Sequence, residues 1–267
     1  MTEISHSKGS RKDCVAALLA RHWKSVRAYT SLCAAGAASE SRLQTCAAQS
    51  FLAEVIHYAH PPVVRPHLLR AVRVAAEAGV DGDDVVLDAA LHDAIRSRRS
   101  GIQPDRRLAE RAFRALPAVT QTLLWHLHVE REDIATVAVL IGLPEVTAAA
   151  EAARSRGLLL QRCLEIHAEE APYPECSRYS RLLLASLNRP VSGDVNTHIS
   201  RCWHCRTAVQ QFDHSDTMLP SLLAQAVLGW GAQDYLRVRW SVRPAPAAAA
   251  RGRHRPPEAA TRGRHRR

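Results

Sequence analysis

Lysine is almost missing from this chain: Lys8, Lys12 and Lys24 are the only three in 267 residues, so arginine carries nearly all of the positive charge. Aromatic residues make up 5%. Alanine, leucine and valine supply most of the apolar content, a balance that favours helices over sheets. Long hydrophobic runs are lacking too. The longest candidate, Met218 to Leu236, is broken by Pro220, Gly229 and Gly231 and holds Ser221, Gln225, Gln233 and Asp234. A membrane-spanning helix needs about 20 mostly apolar residues, so none is expected. The opening MTEISHSKGSRKDC is polar almost throughout, which argues against a signal peptide and for a cytoplasmic chain. No Gly-rich phosphate loop or nucleophile motif occurs. Asp81, Asp83, Asp84, Asp88 and Asp93, with His92, read as helix caps and a solvated face. Enzyme activity is not expected.

The formal charge of +10 is concentrated at one end. From Arg243 onward there are eight arginines and one glutamate, or +7, which leaves +3 for residues 1–242. That segment repeats RGRHR, is rich in proline and alanine, and is expected to be disordered. It reads as a solubilising or incidental extension or, alternatively, as a salt-sensitive, nonspecific contact with nucleic acid, whereas the remaining chain is only mildly basic.

Helical periodicity dominates the rest, and no sustained alternation supports a sheet, so the fold class is all-α. Helices are expected over 14–33, 42–59 (ended by Pro61 and Pro62), 65–78, 83–97, 107–115, 118–128, 133–141, 145–169, 176–187, 194–212 and 221–239. Residues 98–105, RRSGIQPD, read as a linker.

Seven cysteines make an odd set, which argues against a disulfide framework. Cys14, Cys33, Cys46 and Cys163 fall in helical apolar patterns and read as small core residues. Cys202 and Cys205 follow His198 in HISRCWHC, with Cys176 upstream. On one continuous helix, His198, Cys202 and Cys205 would form a single stripe, and Cys176 could supply a fourth ligand from the preceding helix. Three thiolates and an imidazole suit a closed, structural Zn²⁺ site. His204 lies about 100° off that stripe and is expected beside the site or exposed. The segment from Cys176 to Phe212 resembles the zinc-binding anti-sigma domain, whose hallmark is HxxxCxxC on a helix with a ligand from an earlier helix. In that family the domain packs its helices between sigma regions 2 and 4 and hides their polymerase-facing surfaces.

Residues 115–156 contain a second pattern. Leu116 and Pro117 open it, Val137–Ala138 and Ile141–Gly142 follow, and Thr147, Arg154 and Arg156 come after. This resembles the helix-turn-helix of region 4 in bacterial sigma factors of the extracytoplasmic-function type. The resemblance implies DNA contact through Thr147, Arg154 and Arg156. A recognition helix reads base edges with Arg, Lys, Asn or Gln near its start. This one offers Pro144, Glu145, Thr147, Ala148, Ala149, Ala150 and Glu151, with Glu151 where the family pattern has its first arginine. Sequence-specific reading should be weak, although Arg154 and Arg156 can hold phosphates.

Near the N-terminus, His22, Val26, Tyr29 and Leu32 resemble sigma region 2. The acidic stretch of that family is replaced by ASESRLQTCAAQ, with Glu40 its one acidic residue, and no Phe, Trp or Tyr lies between Val63 and Arg98. The expected organisation is a region 2-like bundle over 10–98, a region 4-like helix-turn-helix over 105–168, a zinc-binding anti-sigma-like domain over 170–240, and a basic tail over 243–267. Two functions follow from the resemblances. One is a transcription regulator acting through RNA polymerase core and DNA, with a fused structural zinc domain. The other is a non-enzymatic interaction module descended from a sigma/anti-sigma pair that no longer reads promoters.

Overall fold

The computed structural model describes residues 3–57, 63–80, 85–100, 107–188, 192–212 and 217–241. The tail, the helix end at Pro61 and Pro62, most of the linker, and Asp81, Asp83 and Asp84 lie outside them. The described residues are all-α, with one isolated antiparallel bridge between Ala34 and Leu87. No single helix among them is long and apolar enough to cross a membrane.

Helices α1 (Glu3–Cys33), α2 (Ala37–His57) and α3 (Val64–Gly79) pack against one another. Their buried residues recur at helical steps: Val26, Tyr29 and Cys33, then Leu43, Ala47 and Phe51, then Leu68, Leu69, Val72 and Ala76. Each set forms one apolar stripe, and the three stripes share a core. The helix expected over 83–97 begins later, as α4 (Ala89–Ser100). The backbone before it pairs with the end of α1: Ala35 N–H donates to the Val86 carbonyl at 2.9 Å and Asp88 N–H to that of Cys33 at 3.0 Å. Asp88 then caps α4 by accepting the Leu91 N–H at 3.2 Å.

A second group comprises α5 (Arg107–Arg114), α6 (Ala118–Leu124), a π-helical turn (Trp125–Val129), α7 (Ile134–Ile141) and α8 (Glu145–Glu169). Asp133 caps α7 by accepting the Thr136 N–H at 2.9 Å. Gly142, at φ 67°, closes α7 in the left-handed conformation that glycine adopts without Cβ strain. The chain turns by 98° between α7 and α8, the geometry of a helix-turn-helix.

Helices α9 (Pro174–Asn188), α10 (Gly193–Arg201) and α11 (Trp203–Gln211) pack on one another, with α9 against α8 and α11 against α5. The single helix expected over 194–212 is therefore two helices, with extended Cys202 between them at φ −92° and ψ 110°. The helix expected over 221–239 is also divided, into α12 (Leu219–Leu228), a 3₁₀ turn (Gly229–Gly231) and α13 (Ala232–Ser241). Gly229 has φ 59°, and Gly231 lies so close to Tyr29 that a Cβ there would stand 2.7 Å from the ring. Helices α12 and α13 leave the cysteine-bearing helices and reach back to α1, α3, α5 and the π-helical turn. One continuous hydrophobic core results, from Val26 through Trp125 and Cys205 to Leu236.

Candidate functional site

The kink at Cys202 builds the cysteine–histidine cluster. Cys202 N–H closes α10 by donating to the His198 carbonyl at 2.8 Å, and its own carbonyl opens α11 by accepting the Arg206 N–H at 3.0 Å. His198 thus sits in the last turn of α10, Cys205 in the first turn of α11, and Cys202 at the corner. The one-helix stripe expected from the spacing is corrected to a helix–corner–helix arrangement. Extended backbone at Cys202 turns its sulfur towards Cys176, which α9 presents.

The ligand atoms of Cys176, His198, Cys202 and Cys205 all lie within 4.8 Å of one another, and the cluster could hold a metal ion. Cys176 Sγ is 3.5 Å from both His198 Nε2 and Cys202 Sγ, and His198 Nε2 is 3.2 Å from Cys205 Sγ. The edge of a tetrahedron with metal–sulfur and metal–nitrogen bonds of about 2.3 and 2.1 Å is roughly 3.4–3.8 Å, so the spacing fits the donor set. All three cysteines are buried and His198 is half-buried. Burial, then the neighbouring Cys176 thiol, pushes Cys205 well above the ordinary thiol pKa. Burial works against the Cys202 thiolate as well, but the Cys205 amide and the Cys176 thiol outweigh it and lower its pKa. A bound divalent cation deprotonates such thiols, so metal binding there is coupled to proton release.

His167, from the last turn of α8, was not legible as part of this group. Its Nε2 is 3.6 Å from Cys205 Sγ, and its ring stacks on His204 at 4.1 Å with an interplanar angle of 15°. His204 in turn donates to the His167 carbonyl at 3.1 Å. Burial, then the neighbouring His204 and His198, lowers the His167 pKa to about 4. An open cavity of about 530 Å³ adjoins the pair, with Trp203, Arg111 and Glu170 on its walls.

The residues expected to contact DNA lie in the first half of α8. Thr147, Ala149 and Ala150 are exposed, and Val146 is 83% exposed. Arg154 is exposed but pairs with Glu151 one turn before it, and Arg156 is half-buried. The cysteine–histidine cluster and these residues therefore occupy different stretches of the chain, with α8 running from one to the other.

A third constellation escaped the sequence: a buried polar network where α1, α3, the residues after the π-helical turn, and α13 meet. Glu130 is fully buried and accepts hydrogen bonds from Trp125 Nε1 at 3.0 Å and Tyr235 Oη at 2.6 Å. Its other carboxylate oxygen lies 2.5 Å from Arg239 Nε and 3.3 Å from Arg65 Nη1. Arg65 also pairs with Glu132 at 2.5 Å and donates to His22 Nδ1 at 3.2 Å. Two guanidinium groups and two carboxylates thus balance. Burial opposes the Arg65 charge, but Glu130 and Glu132 outweigh it and raise its pKa. His22 and Tyr29, placed in the region 2 pattern, serve this junction: Tyr29 Oη donates to the Leu228 carbonyl at 3.1 Å and its ring stacks on Trp230.

No family model, curated protein or solved structure matches the chain.

Proposed function

We propose that the chain is a sigma-factor-like regulator of transcription that acts through RNA polymerase core in the cytoplasm and carries its own regulatory zinc domain. The observation that carries this reading is the seating of α12 and α13 between the N-terminal bundle and the helix-turn-helix group. Tyr235 and Arg239 of α13 meet on Glu130 with Arg65 of α3, and Leu228 at the end of α12 meets Tyr29 of α1. In the family that the cysteine–histidine segment resembles, an anti-sigma domain occupies that position between sigma regions 2 and 4. Here it is part of the same chain, which raises its effective concentration to the order of millimolar for a short linker.

The metal is Zn²⁺ in this reading. Three thiolates and one imidazole at tetrahedral spacing are soft, four-coordinate donors that leave no position for water, which fits a structural rather than a catalytic site. When bound, the ion supplies a cross-link between α9, α10 and α11. Co-purification of the full chain with RNA polymerase core, followed by promoter-dependent transcription, tests the function. Failure to bind core, by the wild type and by a variant opened at Glu130, would overturn it.

The second reading, an interaction module that no longer reads promoters, is favoured by the start of α8. Its exposed residues are Glu145, Val146, Thr147, Ala149 and Ala150, and Arg154 is engaged by Glu151. Thr147, Arg154 and Arg156 then supply weak phosphate contacts at most, and duplex affinity resides in the arginines beyond residue 242. Deleting residues 243–267 distinguishes the readings. Loss of most duplex binding with no sequence preference favours the module, whereas salt-resistant binding to one promoter by the truncated chain favours promoter recognition.

A further inference from the structure

The last turn of α8 meets the metal-ligand cluster through one side chain that the four-ligand description leaves out. We propose that His167 donates its Nε2–H to the metal-bound thiolate of Cys205, making α8 part of the metal centre. The inference rests on the reading of Cys176, His198, Cys202 and Cys205 as metal ligands.

Geometry and the chemistry of the thiolate carry it. His167 Nε2 stands 3.6 Å from Cys205 Sγ, within reach of an N–H···S hydrogen bond. A coordinated thiolate has no proton to give, so the imidazole must be the donor and Nε2 must carry the hydrogen. The opposite tautomer would aim a lone pair at a thiolate and leave a buried N–H at Nδ1, where no hydrogen-bond partner stands among the described residues. The proton therefore sits on the sulfur side.

The ring is also held in place. His204, the residue before Cys205, stacks on it at 4.1 Å and donates to its carbonyl at 3.1 Å. That carbonyl lies in the final turn of α8, where intrahelical donors run out. Phe212 stands against the ring edge-on, with centroids 6.2 Å apart and planes at 84°. The motif HxxxCxxC thus grips α8 twice, through the sulfur of Cys205 and the imidazole of His204. Helix α8 has 25 residues, so it spans roughly 37 Å at 1.5 Å per residue. Its other end carries the exposed recognition positions Thr147, Ala149 and Ala150. His167 is in these terms a positioning residue: it sets the electron density on one ligand sulfur and fixes the helix that bears the recognition end.

The test uses the full chain loaded with Co²⁺, whose thiolate-to-metal charge-transfer band reports the ligand sulfurs. His167→Gln keeps an N–H near the Nε2 position, whereas His167→Asn, equally polar but shorter, withdraws it from the sulfur. A hydrogen bond lowers the energy of the sulfur lone pair. His167→Asn should therefore move the band to longer wavelength, weaken metal binding about tenfold, and speed alkylation of Cys205. His167→Gln should stay close to wild type in all three. Amide exchange over residues 159–167 should slow when wild type takes up metal and should respond less in His167→Asn. A wild-type chain that shows no thiolate charge-transfer band overturns the metal reading, and this proposal with it. A wild-type band that both variants reproduce, with unchanged affinity, overturns the role of His167 alone.

Discussion

The phenol of Tyr235 donates a 2.6 Å hydrogen bond to the carboxylate of Glu130, a residue 105 positions earlier and fully buried. Burial and the adjacent Glu130 charge hold the phenol protonated, so the donor is permanent over the physiological range. The same carboxylate neutralises Arg65 from α3 and Arg239 from α13. One side chain therefore ties three separate stretches of sequence together.

Replacing Glu130 by alanine should be severely destabilising. It leaves Arg65 and Arg239 sharing Glu132 as their carboxylate among the described residues and removes the acceptor for Trp125 and Tyr235. Breaking a buried ion pair from one side costs about 3–5 kcal/mol. Urea denaturation of the Glu130→Ala chain should show that loss, and a change under 1 kcal/mol, the level of a surface pair, would mean that the network is solvated.

Gly231→Ala should also destabilise, by about 1–3 kcal/mol as an overpacking change. The new methyl would stand 2.7 Å from Tyr29 Cε2, in a ring already stacked on Trp230 and hydrogen-bonded to the Leu228 carbonyl. Tyr29→Phe should cost about 1 kcal/mol for the lost hydrogen bond. In the double variant the two effects should be less than additive when unfolding is compared in a mutant cycle, because the overlap involves the Tyr29 hydroxyl as well as the ring.

Stability should fall on mild acidification. Burial first, then Arg65, lowers the His22 pKa from 6.5 to about 3. The unfolded chain therefore takes up a proton below pH 6.5 that the folded chain refuses, and stability drops progressively from there towards pH 3. Glu132 acts lower on the scale. Burial would raise its pKa, but the His126 hydrogen bond and Arg65 hold it near 2, so its contribution is present above pH 4.5 and lost as pH falls towards 2. His22→Gln should lessen the fall of the unfolding midpoint between pH 7 and 5, the remainder coming from His167, whose pKa burial lowers to about 4, while a wild-type midpoint that is level over that interval would contradict a neutral His22.

Metal content should be close to one zinc per chain in protein purified without added metal. A Cys202→Ser/Cys205→Ser variant should lose it, since Cys202 holds the corner between α10 and α11 and Cys205 the first turn after it. Elemental analysis checks both, and full zinc retention by the double variant would remove those sulfurs from the ligand set.

How far the sequence could be read depended on whether a feature is local. Helix α8 begins and ends at Glu145 and Glu169 as its periodicity implied, because an apolar stripe, a preceding proline and Gly142 all act within a few residues. The clustering of Cys176, His198, Cys202 and Cys205 was legible because metal chemistry restricts the spacing of such donors. The break at Cys202 was not, since neither proline nor glycine marks it and the bend serves the geometry of the cluster. Likewise Gly231 and Glu130 look ordinary in sequence. Tyr29 and Tyr235, which give them their roles, are distant along the chain. His167 was hidden as the only ring in its turn, 38 positions before the cysteine it meets.

The most direct measurement is the affinity for RNA polymerase core of wild type against a Glu130→Ala/Arg239→Ala chain, in which α13 has lost its anchor. If α12 and α13 hold the two modules closed, releasing them should tighten core binding about tenfold or more, as a shifted open–closed equilibrium requires. Equal affinity, or no binding by either chain, would contradict the proposed closed regulator.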